Sequence, residues 1–219
     1  MKRIAIFAAS VMLAAVFASC GKETGKYGIN DKASDEVKVF DKKVEGEADL
    51  IDKAEALQSK VDDIFMKNNV YVELYVEMKD DNSLIKVDNF DDIKDKSKVA
   101  KTYNIVRYEN GALMNLTEMP NPAGREFENI YNSLYDEQGN IVKFQRVSRF
   151  TIEQVSQFIE TSAYYFDKNH EAVKKDYGII DLLNMDRVVN PGEAESSPGR
   201  IQYDVFLTAK DFNEAHPLK

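Results

Sequence analysis

Cys20 is the one thiol in this chain, and it follows Ala18 and Ser19 directly at the end of an apolar stretch. A lone thiol can serve as a nucleophile, a metal ligand or a site of modification, and its surroundings choose among these. The histidines, His170 and His216, lie in a turn-like segment and near the C-terminus, with no neighbouring motif to make either a general base, so both are expected to face solvent. No G-x-S-x-G or H-E-x-x-H sequence occurs, and two histidines with one cysteine are too few for a zinc site. Asp80, Asp81 and Asn82, then Asp88, Asn89, Asp91 and Asp92, gather carboxylates as calcium loops do. Counted from Asp80, however, Leu84 and Ile85 stand where a ligand and a glycine belong, and Lys79, Lys86, Lys94, Lys96 and Lys98 interleave positive charge. A solvated loop is expected there. Tyrosine is the one enriched functional group, with eleven in the chain. Tyr71 and Tyr75 share one side of a strand, and Tyr131 and Tyr135 share one side of another. Such a stripe suits a binding face for a partner or glycan, and equally suits packing beneath a helix. The inventory predicts no catalytic residue, no cofactor and no metal. An enzyme would have to work with carboxylates alone, two of them facing across a cleft.

The segment before Cys20 explains the thiol. Lys2 and Arg3 form a basic start, residues 4–16 are apolar, and residues 17–20 place small side chains before the cysteine. The apolar run is shorter than the roughly 20 residues of a spanning helix and has the layout of a cleaved signal peptide. Ala18-Ser19-Cys20 resembles the lipobox of bacterial lipoproteins, with Phe17 where that family usually carries an aliphatic residue. The resemblance implies removal of residues 1–19, acylation of Cys20 as the new N-terminus, and export. It implies a membrane partner reached through lipid, and a diacylglycerol with a further chain is a firm anchor at about 0.8 kcal/mol per buried CH₂. Gly21 follows the cysteine where an inner-membrane retention signal would place Asp, so the resemblance favours the outer membrane in an organism that has one.

The formal net charge is −9 at pH 7, and it becomes more negative by two once Lys2 and Arg3 leave with the signal. Such a surface repels phosphate backbones, so nucleic acid is excluded as a partner class. With Cys20 committed to lipid no intramolecular disulfide can form, and stability must come from a packed core. An apolar fraction of 43% supports one domain.

Residues 20–46 are polar, with Val37, Val39 and Phe40 among their few large apolar side chains. They read as a flexible tether spanning roughly 28 Å. The globular domain is expected over residues 47–219. Leu50, Ala54, Leu57, Val61, Ile64 and Phe65 recur at spacings of three and four, which predicts an amphipathic helix over residues 47–69. In residues 70–78 the period becomes two, with Val72, Leu74, Val76 and Met78 toward a core and Tyr71, Glu73, Tyr75 and Glu77 on a half-wet side. A polar loop is expected over residues 79–98.

Three hairpin signals follow, at Asn110-Gly111, at residues 136–140 and at residues 167–171. Each places an aromatic residue, an acid, a polar turn and an apolar resumption in the same order. Thr151 and Gln154 fit a capping box before Ile152, Val155, Phe158 and Ile159, predicting a short second helix. A closing strand is expected over residues 201–209.

One helix followed by consecutive hairpins predicts an α+β fold, a curved antiparallel meander of about six to eight strands carrying helices. This architecture, without any shared motif, resembles the half-barrel of bacterial lipoprotein carriers and receptors. The functional expectation is a non-enzymatic, lipid-anchored envelope protein with a binding or structural interaction role outside the cytoplasm, its partner another envelope protein or a glycan. The alternative is a carrier or receptor of a lipid or other hydrophobic ligand held in the curve of the sheet.

Overall fold

The computed structural model describes residues 46–67, 71–120, 127–152, 156–182 and 205–217. The signal, Cys20, the tether and residues 201–204 of the expected last strand lie outside the described residues. Helix α1 (Glu47–Lys67) precedes eight strands: β1 (Val72–Met78), β2 (Asp81–Val87), β3 (Val99–Arg107), β4 (Leu113–Pro120), β5 (Phe127–Tyr135), β6 (Ile141–Ile152), β7 (Ser156–Phe166) and β8 (Ala172–Asp181). A short helix, α2 (Ala209–Ala215), follows. The strands form one sheet in the order β2-β1-β3-β4-β5-β6-β7-β8, with every neighbouring pair antiparallel. The fold is therefore α+β with a meander sheet, β1 and β2 alone departing from sequential order.

Helix α1 forms where the sequence places its apolar stripe. Glu47 and Asp49 lie in its first turn and Lys67 in its last, matching the helix dipole. The carbonyl of Gly46, a residue with φ of +84°, accepts from the Leu50 amide and starts the helix. Ala54, Gln58 and Val61 are buried, while Leu50, Ile51, Leu57, Ile64 and Phe65 pack half-buried against Val106, Met114, Leu134, Ala163, Tyr165 and Val173. The helix thus closes one face of the sheet, over β5, β6 and β7.

Residues 205–217 close the opposite face. The Leu207 carbonyl accepts from Ile141, the Gly139 carbonyl accepts from Ala209, and Thr208 bridges Asn140. The segment then crosses to the edge strand, where the Pro217 carbonyl accepts from Leu84. Thr208 caps α2, its hydroxyl accepting from the Asp211 amide while the Asp211 carboxylate accepts from the Thr208 amide. Beneath the segment, Tyr75, Tyr103, Ile105, Leu113, Leu116, Tyr131, Tyr135, Ile141, Phe144 and Phe166 form one cluster with Ala209 and Phe212.

The three hairpin turns share one geometry. In each, the first turn residue donates to the carbonyl four residues on, and the fourth donates back to the carbonyl of the first. The pairs are Tyr108 with Ala112 and Gly111, Asp136 with Asn140 and Gly139, and Asp167 with Glu171 and His170. The fourth residue has positive φ each time: +83° at Gly111, +82° at Gly139 and +62° at His170. A register shift precedes each turn, at Val106/Arg107, Leu134/Tyr135 and Tyr165/Phe166. The repetition is geometric and does not follow the aromatic residue, because Arg107 occupies the place held by Tyr135 and Phe166.

Four expectations change. The segment expected as a short helix after Thr151 contributes the end of β6 and the start of β7, paired through Phe150 with Phe158 and Ile152 with Ser156. A helix of eight or nine residues is marginal alone, and backbone pairing on both sides overrides its pattern. The loop expected over residues 79–98 contains β2, whose Leu84 is fully buried. The strand expected over residues 201–209 gives way, in its described part, to an extended lead into α2. The side of β1 expected to be half wet is covered, with Tyr75 and Glu77 both buried.

Candidate binding site

Of the four tyrosines that suit either a binding face or packing, three do not reach the surface. Tyr75, Tyr131 and Tyr135 are buried in the cluster beneath residues 205–217, and only Tyr71 is exposed, at 64%. The Tyr135 hydroxyl donates to the Phe206 carbonyl, and burial pushes that hydroxyl's pKa up. These rings fix the C-terminal segment to the sheet. Cys20 lies outside the described residues.

The histidines also sit differently from expectation. His216 is buried among Tyr103, Phe206 and Phe212, with ring centroids 5.1 to 5.7 Å away. Its Nδ1 lies 3.1 Å from the Asn82 carbonyl and 3.6 Å from Glu77 Oε2, which accepts from Tyr103 Oη at 2.5 Å. His170 is half-buried in its turn, with Nε2 3.2 Å from Asn140 Oδ1. Asn89 and Asp95 spend their side chains capping short 3-10 turns at residues 90–92 and 96–98. Among the described residues, no three His, Asp or Glu side chains gather as a metal site would require.

What the strands do bring together is a cross-strand row on the face opposite α1. One residue from each strand stands side by side: Lys86, Tyr75, Tyr103, Glu118, Tyr131, Arg146, Ser162 and Tyr177. A second row runs alongside it through Asn129, Ser148, Glu160 and Ile179. Together they place Glu118 and Glu160, each only 2% exposed, among Arg146, Ser148 and Ser162. Lys101 Nζ lies 3.3 Å from Glu118 Oε1, and Arg146 Nη2 lies 3.6 Å from Glu160 Oε2. Tyr177 Oη donates to Glu160 Oε1 at 2.7 Å.

Buried charges are stable only when paired and hydrogen-bonded, yet this group is incompletely satisfied. Arg146 Nε, Ser148 Oγ and Asn129 Oδ1 are buried without a hydrogen-bond partner, and Arg146 Nη2 reaches Ser162 Oγ only at 3.4 Å. Sequence reasoning missed this group because no motif marks it. Its members are spread over β3 to β8 and meet only through register. The single visible signal was polar residues at alternate positions of β6 and β7, where an apolar face would place aliphatics.

A different charged group fastens α1. Glu55 Oε1 accepts from Lys143 Nζ at 2.9 Å and Tyr165 Oη at 2.5 Å, and the Lys143 and Lys174 ammonium groups lie 5.4 and 5.1 Å from the Tyr165 ring centroid. Burial opposes ionisation of Glu55, but the neighbouring Lys143 and the Tyr165 hydrogen bond together hold its carboxyl below the ordinary value. Burial and the Glu55 hydrogen bond push the Tyr165 hydroxyl up. This group has its partners in place and holds helix to sheet. No family model, curated protein or solved structure matches the chain.

Proposed function

We propose that this chain is a lipid-anchored protein of a bacterial cell envelope, non-enzymatic, that holds or recognises a partner outside the cytoplasm. The observation that carries the reading is Ala18-Ser19-Cys20 at the end of a short apolar signal. Outer-membrane anchoring is the favoured address, with residues 20–46 as the tether. The sheet beyond the tether supports a binding role, since its strands gather unpartnered polar side-chain atoms on the face opposite α1. Labelled palmitate is expected to enter the protein, and Cys20→Ala is expected to move it from the membrane to the soluble fraction. A variant that stays with the membrane and an unlabelled wild type would overturn the anchor.

The second reading is a carrier of a hydrophobic ligand on a curved sheet. It would place the ligand against the aromatic cluster that residues 205–217 cover. Organic extraction of the purified protein followed by mass spectrometry is expected to return one lipid class reproducibly. Extracts no different from those of an unrelated lipoprotein count against this reading.

A further inference from the structure

The two polar rows on the face opposite α1 hold more hydrogen-bonding capacity than the described side chains use. Arg146 makes only contacts of 3.4 and 3.6 Å through Nη2, and its Nε has no partner; contacts that long contribute little. Ser148, fully buried, and Asn129, 9% exposed, each carry a buried oxygen without a partner. Asn129 and Ser148 stand directly opposite one another across β5 and β6, and Arg146 lies two residues before Ser148 on the same face. Three unpartnered atoms are thus adjacent, comprising a donor, an acceptor and a hydroxyl that can act as either.

Charge narrows what could satisfy them. Among the described residues Lys101 stands beside Glu118 and Arg146 beside Glu160, so each of these carboxylates already faces a cation. An added anion would face two buried carboxylates, and an added cation would face Arg146 and Lys101, each with a desolvation cost. A neutral group that both donates and accepts avoids both. Adjacent ring hydroxyls do this, each accepting from a guanidinium or serine and donating to an amide oxygen. Aromatic rings flank the position, with Tyr131 stacked on Phe144 at 6.3 Å and Tyr164 beyond it. The row reaches the edge strand at Tyr177, 40% exposed.

We propose that Asn129, Arg146 and Ser148 form a binding site for an uncharged sugar ring. The inference rests on reading the chain as a binding protein and supplies the chemistry of what it binds. The source is either a free saccharide or the head of a glycolipid.

Full-length protein in detergent, titrated calorimetrically with glucose, galactose, mannose and N-acetylglucosamine, is expected to bind at least one of them. Flotation with phosphatidylcholine vesicles, with and without digalactosyldiacylglycerol, separates the sources when run on Cys20→Ala protein. A glycolipid head is indicated by flotation only with the galactolipid, and a free saccharide by heat with sugar and no flotation. Arg146→Lys keeps the charge facing Glu160 and removes the Nε donor, and Ser148→Ala removes an unpartnered hydroxyl. Each is expected to weaken binding about tenfold or more with the melting temperature kept. No heat with any sugar and no flotation overturns the proposal, as do variants that bind like wild type, or a response to inorganic phosphate alone. Palmitate incorporation at Cys20 does not depend on this site, so an anchored protein that binds no sugar retains the envelope reading and loses this one.

Discussion

The two faces of the sheet are closed by different physical means. Under α1 the contact is mainly aliphatic, built from Leu50, Ala54, Leu57, Val61 and Ile64 with Phe65 and Tyr165 among them, and the Glu55 group fixes the helix in register. Under residues 205–217 the contact is aromatic, with Phe206, Phe212 and His216 on Tyr103 and Tyr135. The first closure comes from one long helix laid over three strands. The second comes from a short segment held at its two ends by backbone hydrogen bonds. Closure by few large rings concentrates stability in few positions, whereas a helical stripe distributes it.

That contrast has its largest expected consequence at Phe212, which is 1% exposed. Phe212→Ala should cost about 3–5 kcal/mol, the usual range for a buried aromatic. Val61→Ala, at a buried position of α1, should cost about 2 kcal/mol. Urea unfolding of both variants measures the difference, and equal losses would remove the distinction between the faces.

The Glu55 group tests the other side. Glu55→Gln leaves Lys143, nearly fully buried, without its carboxylate, and should cost about 1–2 kcal/mol at neutral pH, since Glu55 itself is partly exposed and screened. Denaturation monitored at pH 7 checks it, with no measurable loss as the outcome that would reduce the group to an incidental contact.

The turns bear on both faces, because they carry the bulges that set which side chains point where. Gly111 and Gly139 occupy the positive-φ position in two turns and His170 in the third. A left-handed conformation costs an L-residue roughly 1–2 kcal/mol, so His170→Gly should stabilise by about 0.5–1 kcal/mol after loss of its contact with Asn140. A raised melting temperature is the expected result, and a lowered one would show that the Asn140 contact outweighs the strain.

The same contrast governs what could be read from the sequence. Helix α1 was legible because local period and tertiary burial agree, the stripe from Leu50 to Phe65 being also the face that packs. The three turns were legible because positive φ demands particular residues. The face under residues 205–217 was not, because its core is written in tyrosine, and alternation alone cannot tell a buried ring from a displayed one. Strand β2 was hidden by Asp81 and Asn82, whose polarity reflects an edge, while only Ser83 and Leu84 carry its burial. The Thr208 capping box with Asp211 was present in the sequence but lay within an alternating pattern, and Thr151 offered the same signal where strand pairing prevails. The polar rows through Arg146 depend on the register of six strands, which no local pattern encodes.

The smallest expected effect separates two carboxylates on α1 itself. Burial raises the Asp62 carboxyl above its ordinary value despite a hydrogen bond from Gln58, while Glu55 is held below its own. Linkage therefore gives them opposite signs. Ionised Glu55 contributes stability above its unfolded value of about 4.5, and this is lost as the pH falls through the lower folded value. Ionised Asp62 instead costs stability at neutral pH, and the cost is relieved as the pH falls through its raised folded value toward 3.8. Asp62→Asn should accordingly stabilise at pH 7, by less than about 1 kcal/mol, where Glu55→Gln destabilises. The two variants should converge on wild type from opposite sides as the pH drops below both carboxylate ranges, where each acid is neutral folded and unfolded. Urea unfolding from pH 7 to pH 3 reads both curves, and an Asp62→Asn variant less stable than wild type at pH 7 would show that its Gln58 hydrogen bond outweighs its burial.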